Sequence, residues 1–157
     1  MLDPQFRSFV GQYPVALRYG LTPGELLRYL VGTGQVKGNV KVVPMSGWRR
    51  SMWYDETGLP WHNPSPNLRS LDASLLYTGT VFFEGTNLTE GRGTPAPFQT
   101  IGAAWLKDAG AIASELNGRG LPGVSFDSST VKVEGTAAKW GAQTIPVITV
   151  EVTDRNA

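Results

Sequence analysis

The sequence contains no cysteine and only one histidine, His62, among its 157 residues. The lack of cysteine excludes disulfide bonds, thiolate metal sites and a cysteine nucleophile. A single imidazole also excludes a zinc or iron site that needs two histidine ligands. We therefore expect no metal and no other cofactor, and any chemistry has to rest on carboxylates, hydroxyls, amides, arginines and aromatic rings.

An excess of charge of either sign is also lacking, since 14 Lys and Arg stand against 13 Asp and Glu. A net charge of +1 gives no electrostatic basis for nucleic acid or an anionic membrane as a partner. The apolar runs are too short to cross a bilayer, and the N-terminus lacks the basic and apolar pattern of an export signal. With 19 glycines and 11 prolines, the composition favours a loop-rich globular chain.

The first part of the chain carries the pattern of a strand–helix–strand unit. Residues 13–18 and 40–43 are apolar and predict strands. Between them, Thr22 and Glu25 have the spacing of a capping box, with Pro23 at the first helical position. This spacing is typical of a βαβ unit and predicts an α/β fold.

The second part predicts a mixture of helices and strands. Capping residues favour helices at 70–77 and from Asp108 to Leu116. Apolar patterns favour strands at 80–84, 124–126, 130–134 and 145–152. Composition suggests one boundary, at 63–67, so we expect domains at 1–66 and 67–157, the second of the α+β type. Because little sequence flanks the apolar segments at either end, we expect both domains to be truncated.

The run from Glu84 to Thr94 combines carboxylate, amide, hydroxyl and guanidinium groups with three glycines. Polar loops that follow strand ends are common ligand sites, and glycines allow close backbone approach or a positive φ. Burial of Glu84 beside Val81, Phe82 and Phe83 would disfavour its charged form and suit a general acid. The alternative is that Glu84 or Glu90 pairs with Arg92 and holds the shape of the loop.

Gly91–Ala96 also matches a G-x-G-x-x-A string, which is a signature of nucleotide binding. It does not directly follow a strand, however, and the two nearby glutamates would repel a pyrophosphate. A nucleotide or phosphosugar site is therefore the weaker interpretation.

The segment between residues 44 and 97 contains six of the 11 prolines and three of the five tryptophans. Within it, Trp48, Arg49 and Arg50 place cations beside an aromatic ring, which suits a sugar platform with a carboxylate clamp. Prolines at 60, 64 and 66 stiffen the stretch that holds Trp61 and Asn67. Each tryptophan is equally compatible with simple packing. Together these features favour carbohydrate binding.

Several motifs, in this order along the chain, resemble the DUF1343 family, whose characterised members are exo-β-N-acetylmuramidases. The motifs are Arg18–Glu25, Met45–Arg50, Gly58–Trp61, Pro64–Asn67, Glu84–Thr94 and Pro97–Leu106. The resemblance implies the C-terminal part of a Rossmann-like domain followed by most of a smaller α+β domain, with a substrate cleft between them. It also implies hydrolysis that releases terminal N-acetylmuramic acid from peptidoglycan fragments, outside the cytoplasm.

The resemblance places the family's catalytic glutamates upstream of this sequence, so we expect the chain alone to be inactive or nearly so. Within the chain, the best catalytic candidates are Glu84 and Glu90. The residues expected to contact a muropeptide are Trp61, His62, Asn67, Glu84, Asn87, Glu90 and Arg92. A non-catalytic peptidoglycan-binding module is the alternative interpretation.

Overall fold

The structure is a computed structural model that describes residues 3–157; Met1 and Leu2, which belong to the stretch searched for an export signal, lie outside the described residues. The chain forms two compact units, one up to Met52 and one from Trp53 onward. The helices and strands are α1 (Pro23–Gly32), α2 (Leu71–Thr80), β1 (Thr100–Gly102), α3 (Ala109–Gly118), β2 (Val124–Lys132) and β3 (Thr144–Val152). Short 3-10 helices lie at Pro4–Phe6, Tyr54–Thr57 and Val81–Gly85. The prediction of mixed helix and strand is confirmed.

The first unit contains α1, which begins at the predicted capping box. The Thr22 hydroxyl accepts a hydrogen bond from the Glu25 amide at 3.2 Å, and the Glu25 carboxylate accepts one from the Thr22 amide at 2.8 Å. Pro23 occupies the first turn, where its missing amide costs nothing. The local sequence signal was sufficient here because a capping box satisfies its own donors.

The strands predicted at 13–18 and 40–43 are wrong, because neither segment is a strand in the structure. A strand requires a ladder of hydrogen bonds to a neighbour. Within residues 3–52 the one β-bridge joins Ser8 to Gly11, and no described segment forms a ladder with either predicted strand. The helix of the predicted βαβ unit is therefore present, and its two strands are not.

The second unit contains a three-stranded antiparallel sheet in the order β1-β3-β2. β3 is central and begins at Thr144, one residue before its predicted start. β2 is one continuous strand, paired from Val124 opposite Val152 to Lys132 opposite Thr144. The predicted division of β2 into 124–126 and 130–134 is wrong, because pairing with β3 carries its polar central residues through the ladder.

The core of this unit lies on both faces of β3, since alternate side chains point to opposite faces of a strand. Ile145 and Val147 pack with Val133 on one face. Ile148 packs with Ala109 and Ala113 of α3 on the other. The helix predicted from Asp108 is therefore present and holds the sheet from one side.

Residues 80–84 do not form the predicted strand. α2 begins at its predicted cap, Ser70, whose hydroxyl accepts from the Ala73 amide at 3.0 Å. It continues to Thr80, whose hydroxyl donates to the Leu76 carbonyl at 3.0 Å, and the 3-10 helix Val81–Gly85 follows directly. A short apolar run suits a strand or a buried helix equally, and here the preceding helix decides the outcome.

No helix within residues 3–157 is both long enough and apolar enough to cross a membrane.

Candidate functional site

The loop of residues 86–98 is fixed against β1 by its backbone. Thr89 and Gly102 exchange two backbone hydrogen bonds, of 2.8 and 3.2 Å. The next residue, Glu90, accepts a hydrogen bond at its carbonyl from the Phe98 amide at 2.7 Å. These bonds close the loop at its base, so the residues between Glu90 and Phe98 start from a fixed backbone.

Gly91 makes the tight turn of this loop possible. Its φ of +89° lies in the left-handed region. A Cβ at this position would lie 2.8 Å from the Thr100 carbonyl oxygen and 3.0 Å from that of Ala96. The Thr94 hydroxyl donates to the Gly91 carbonyl at 2.7 Å and completes the turn. The prediction that glycines in this run provide a positive φ is confirmed at Gly91, and also at Gly93 with φ +81°.

Arg92 joins Glu84 and Glu90 through one nitrogen atom. Its Nη1 lies 2.7 Å from a carboxylate oxygen of Glu90 and also forms an ion pair with Glu84. The Glu90 side chain is only 5% exposed, whereas that of Glu84 is 45% exposed. The structure therefore contains the pairing that sequence reasoning weighed as the alternative to a catalytic role.

The environment of Arg92 keeps it charged. Its guanidinium lies over the Phe98 ring, 4.9 Å from the centroid. Partial burial lowers the pKa of Arg92, but the hydrogen bonds from its guanidinium to Glu90 and Glu84 outweigh burial and raise the pKa above its ordinary value. A permanently charged arginine held by a buried carboxylate can bind a second anion on its exposed side.

The environment expected for Glu84 is not found. The residue lies in the 3-10 helix Val81–Gly85 and not at the end of a strand, and nearly half of its side chain is exposed to solvent. Phe82, which was expected to help bury it, is 71% exposed. The desolvation that would suit Glu84 to a general acid is therefore absent from this structure.

Sequence reasoning missed two residues of this site, Lys139 and Trp140. The Lys139 ammonium reaches Glu90 at 3.5 Å, and the Trp140 indole donates to the Asn87 carbonyl at 3.3 Å. The segment around them, Ala137–Gly141, carries no motif, and more than 50 residues separate Trp140 from Asn87 in the sequence. Local pattern offered no signal for these contacts.

A cavity of about 190 Å³ lies at the charged cluster. Its lining residues are Glu84, Thr89, Glu90, Arg92, Ala138 and Lys139. It is small, and its charged groups are two carboxylates and two cations joined by ion pairs. A space of this kind suits the charged substituent of a ligand better than a whole sugar ring.

Trp61 lies in a second depression of the same unit, of about 620 Å³. Its ring contacts that of Tyr54 edge-on, with centroids 5.2 Å apart, and its indole donates to the Asn63 side chain at 3.1 Å. The Tyr54 hydroxyl in turn donates to the Pro60 carbonyl at 2.9 Å. The stretch of residues 60–67 is thus held by the ring contact and by these hydrogen bonds, and the Tyr54 and Trp61 rings line the depression.

The remaining predicted residues, His62, Asn67 and Asn87, lie outside the lining of these two cavities. His62 and Asn87 are exposed and Asn67 is half-buried, and none of the three lines either cavity. The two cavities have no lining residue in common. The structure therefore brings Glu84, Glu90 and Arg92 together, and Trp61 lies in a separate cavity. The Asn87 carbonyl accepts a hydrogen bond from Trp140, which follows Lys139 in the chain.

The arginine and aromatic motif of the first unit is also held internally. Arg50 Nη2 lies 2.5 Å from the Glu25 carboxylate, and its guanidinium lies 5.6 Å from the centre of the Trp48 ring. The hydrogen bonds from Arg50 and from the Thr22 amide lower the pKa of Glu25 below its ordinary value. Arg50 therefore anchors the start of α1, which is a structural role.

A third cavity of the second unit, of about 690 Å³, is apolar. It lies between α2, α3 and the sheet and is lined by none of the predicted site residues. Within residues 3–157, no three acidic or imidazole side chains are grouped so that they could hold a metal ion.

Comparison with known families matches both parts of the chain. The model of the N-terminal part of the exo-β-N-acetylmuramidase NamZ matches residues 1–72, and the model of its C-terminal part matches residues 75–157. The peptidoglycan β-N-acetylmuramidase NamZ of Bacillus subtilis is 40% identical over 130 residues. These residues are 83% of this chain and 31% of the Bacillus protein, so the chain spans about a third of that relative.

Two crystal structures of proteins from Bacteroides fragilis are similar to this structure. One, a DUF1343 family protein, has a TM-score of 0.85 and is 32% identical to this chain. The similarity covers 98% of this chain and 40% of the Bacteroides protein. A second DUF1343 protein has a TM-score of 0.66 at 24% identity, which shows the fold alone. Two family models that together span almost every residue, a 40% identical relative and a shared fold lead to one conclusion: the chain belongs to the DUF1343 family, that of the NamZ exo-β-N-acetylmuramidases.

Proposed function

We propose that the protein carrying this chain is a glycoside hydrolase that releases terminal N-acetylmuramic acid from peptidoglycan fragments. In this reaction water adds across the glycosidic bond: its hydroxyl joins the anomeric carbon and its proton goes to the leaving oxygen. The family membership and the similarity to a peptidoglycan β-N-acetylmuramidase support the reaction and the substrate class.

The observation that carries the proposal for this part of the protein is the arrangement of Arg92 between two unequal carboxylates. Glu90 is buried and holds the guanidinium in place, whereas Glu84 is exposed and is the partner that a ligand can replace. N-Acetylmuramic acid differs from N-acetylglucosamine by a lactyl group, whose carboxylate matches an arginine fork. We assign Arg92 to this carboxylate, with Glu84 occupying the position in the free protein.

Two further roles complete the proposal. The Trp61 ring offers an apolar face to a sugar, with Asn67 and the exposed His62 on the same rigid segment. Asn87 lies on the loop next to the charged cluster and supplies an amide to the substrate. Whether Glu84 or Glu90 takes part in bond cleavage stays a prediction, to be tested by their glutamine variants.

A finer description of the architecture and location belongs to the same proposal. We infer that residues 1–66 are the C-terminal part of a Rossmann-like domain and that 67–157 are most of a smaller α+β domain. The match of separate N- and C-terminal family models supports two parts. We also propose a periplasmic or extracellular location, because that is where peptidoglycan lies.

One observation favours a second function, that of a non-catalytic peptidoglycan-binding module. Both candidate catalytic carboxylates of the chain are ion-paired, and Glu90 has two cationic partners. Paired carboxylates support a binding loop better than they support proton transfer.

The test is product analysis by mass spectrometry. Protein carrying this chain is incubated with peptidoglycan fragments that end in N-acetylmuramic acid and, as a control, with fragments that end in N-acetylglucosamine. The proposal predicts release of the acidic sugar from the first set alone. Binding of the first set without any product would favour the binding module, and release from both sets would contradict the role of the lactyl carboxylate.

A further inference from the structure

We propose that Lys139 is a positioning residue that holds residues 84–92, the end of the 3-10 helix and the first part of the 86–98 loop, in their binding conformation before substrate arrives. The proposal rests on the proposed function, which gives this loop its role. Lys139 lies in the connection between β2 and β3, residues 133–143, and its side chain crosses to residues 83–90.

The hydrogen bonds of the Lys139 ammonium connect the two ends of the segment 84–87. Its Nζ donates to three backbone carbonyls, those of Phe83 at 2.9 Å, Glu84 at 3.1 Å and Leu88 at 2.8 Å. An ammonium carries three N–H donors, and the three carbonyls use all of them. Because Phe83 and Leu88 lie on opposite sides of the 84–87 segment, one side chain fixes both ends of it.

Electrostatic attraction strengthens the attachment of Lys139 to this segment. Lys139 Nζ lies 3.5 Å from the Glu90 carboxylate, whose other oxygen faces Arg92. The cluster therefore contains two anions and two cations, and the buried Glu90 is compensated from both sides. An arginine could keep the charge of Lys139, but its planar fork cannot direct donors to three carbonyls around one point.

The backbone that follows Lys139 adopts an unusual conformation that supports these contacts. Trp140 has a φ of +58° and Ala142 a φ of +63°, a conformation that side chains rarely adopt unless their surroundings impose it. The turn allows consecutive residues, Lys139 and Trp140, both to reach the loop, where the Trp140 indole donates to the Asn87 carbonyl at 3.3 Å. Four hydrogen bonds from this connection thus end on the backbone of residues 83–88.

The consequence concerns substrate affinity. A loop that is already ordered loses little conformational freedom when a ligand binds, so its affinity is higher than that of a loose loop. Removal of the ammonium leaves the same side chains on a segment that has to be ordered by the substrate. The Michaelis constant should then rise, whereas the rate of the bound complex should change little.

The test compares Lys139→Met with a matched control, Lys132→Met, at an exposed lysine of β2. Two quantities are measured: amide hydrogen exchange along the chain, and KM and kcat for a chromogenic β-N-acetylmuramic acid glycoside. For Lys139→Met we expect exchange at Thr86 and Leu88 to become roughly tenfold faster and KM to rise roughly tenfold, with kcat within about threefold of wild type. Lys132→Met should leave both quantities at their wild-type values.

A lower melting temperature with unchanged KM and uniformly faster exchange would show a merely structural role and overturn the proposal. The kinetics use the full-length protein that carries this chain, because the chain alone is expected to be inactive. If that full-length wild-type protein has no hydrolase activity, the proposed function fails; the exchange measurement still decides on Lys139, because unchanged exchange at residues 84–88 would refute it. Should Lys139→Met fail to fold, Lys139→Arg replaces it. That variant keeps the charge, and we expect the same faster local exchange and higher KM.

Discussion

Lys139 and Glu90 stand 49 residues apart in the sequence, yet the ammonium of one lies 3.5 Å from the buried carboxylate of the other. The contact joins the segment 84–92, which carries Glu84, Asn87 and Arg92, to the connection between β2 and β3. Because Glu90 also binds Arg92, a single buried carboxylate supports both cations of the candidate site. The orientation of Arg92 therefore depends on contacts that lie far from it in the chain.

Glu90→Gln should lower the stability of the protein. The substitution removes the charge that two cations share, and hydrogen bonds to charged groups are worth about 1.5–3 kcal/mol each. Since Arg92 and Lys139 keep some exposure to water, we expect a total loss of about 1–3 kcal/mol in the free energy of unfolding. Chemical denaturation measures it.

The matched control for Glu90→Gln is Glu115→Gln, at an exposed i,i+4 pair with Arg119 on α3. Exposed helical pairs contribute about 0.3–0.5 kcal/mol, so this control should be nearly neutral. Equal effects of the two substitutions would contradict the structural importance of Glu90.

Gly91→Ala should destabilise the loop more than a glycine substitution elsewhere. Its φ of +89° costs an alanine about 1–2 kcal/mol, and the new Cβ would lie 2.8 Å from the Thr100 carbonyl oxygen. Gly118→Ala, at the end of α3 where no atom lies within 4 Å of a new Cβ, is the control. Thermal melting should show a clear decrease for the first variant and little change for the second; comparable melting temperatures would be inconsistent with this turn.

The Glu84→Gln variant distinguishes two possible roles of Glu84, as a partner of Arg92 that the ligand replaces or as a general acid. If Glu84 only occupies the ligand position, loss of its charge frees Arg92, and KM for an N-acetylmuramic acid glycoside should fall. A general acid would instead show a decrease in kcat of about 10²–10⁴-fold. Steady-state kinetics distinguishes these results, and a large decrease in kcat would contradict the binding role given to Glu84.

Asp55 should stay ionised at unusually low pH because of Arg155. The hydrogen bond from Arg155, 2.5 Å from the Asp55 carboxylate, lowers the pKa of Asp55 below its ordinary value. A carboxyl with a lowered pKa in the folded state stabilises the fold above its unfolded pKa, about 3.9, and this contribution is lost as the pH falls through the folded value. NMR titration of Asp55 should show its pKa rising in Arg155→Gln and unchanged in Arg119→Gln. An unchanged Asp55 pKa in the first variant would show that the pair is not formed in solution.

The helices were predictable because their signals are local. Thr22, Ser70 and Asp108 each cap the helix that follows, and each bond spans only three residues. The position of β3 was predictable for a related reason, since a short run of mostly apolar, β-branched residues is typical of a strand with both faces covered. A few consecutive residues were therefore sufficient to predict each of these elements.

The wrong strand predictions and the missed site residues have a different cause. The apolar run after Thr80 has no period that separates a strand from a buried helix, and the strands at 13–18 and 40–43 depend on partners that no local pattern specifies. In the candidate site, the Arg92–Glu90 pair was foreseeable from a separation of two residues. The contacts of Lys139 were not, because they span 49 to 56 residues and follow from the register of β2 and β3.

The proposed function depends on recognition of the carboxylate of an acidic amino sugar by Arg92. Calorimetry of N-acetylmuramic acid and N-acetylglucosamine binding to the wild-type protein, Arg92→Ala and the control Arg119→Ala tests it most directly. Loss of a charge-assisted hydrogen bond, worth about 1.5–3 kcal/mol, should weaken N-acetylmuramic acid binding by at least roughly tenfold in Arg92→Ala and leave N-acetylglucosamine unaffected. Arg119→Ala should bind both sugars as the wild type does. Equal changes for the two sugars in Arg92→Ala, or no change for either, would show that Arg92 does not recognise the carboxylate.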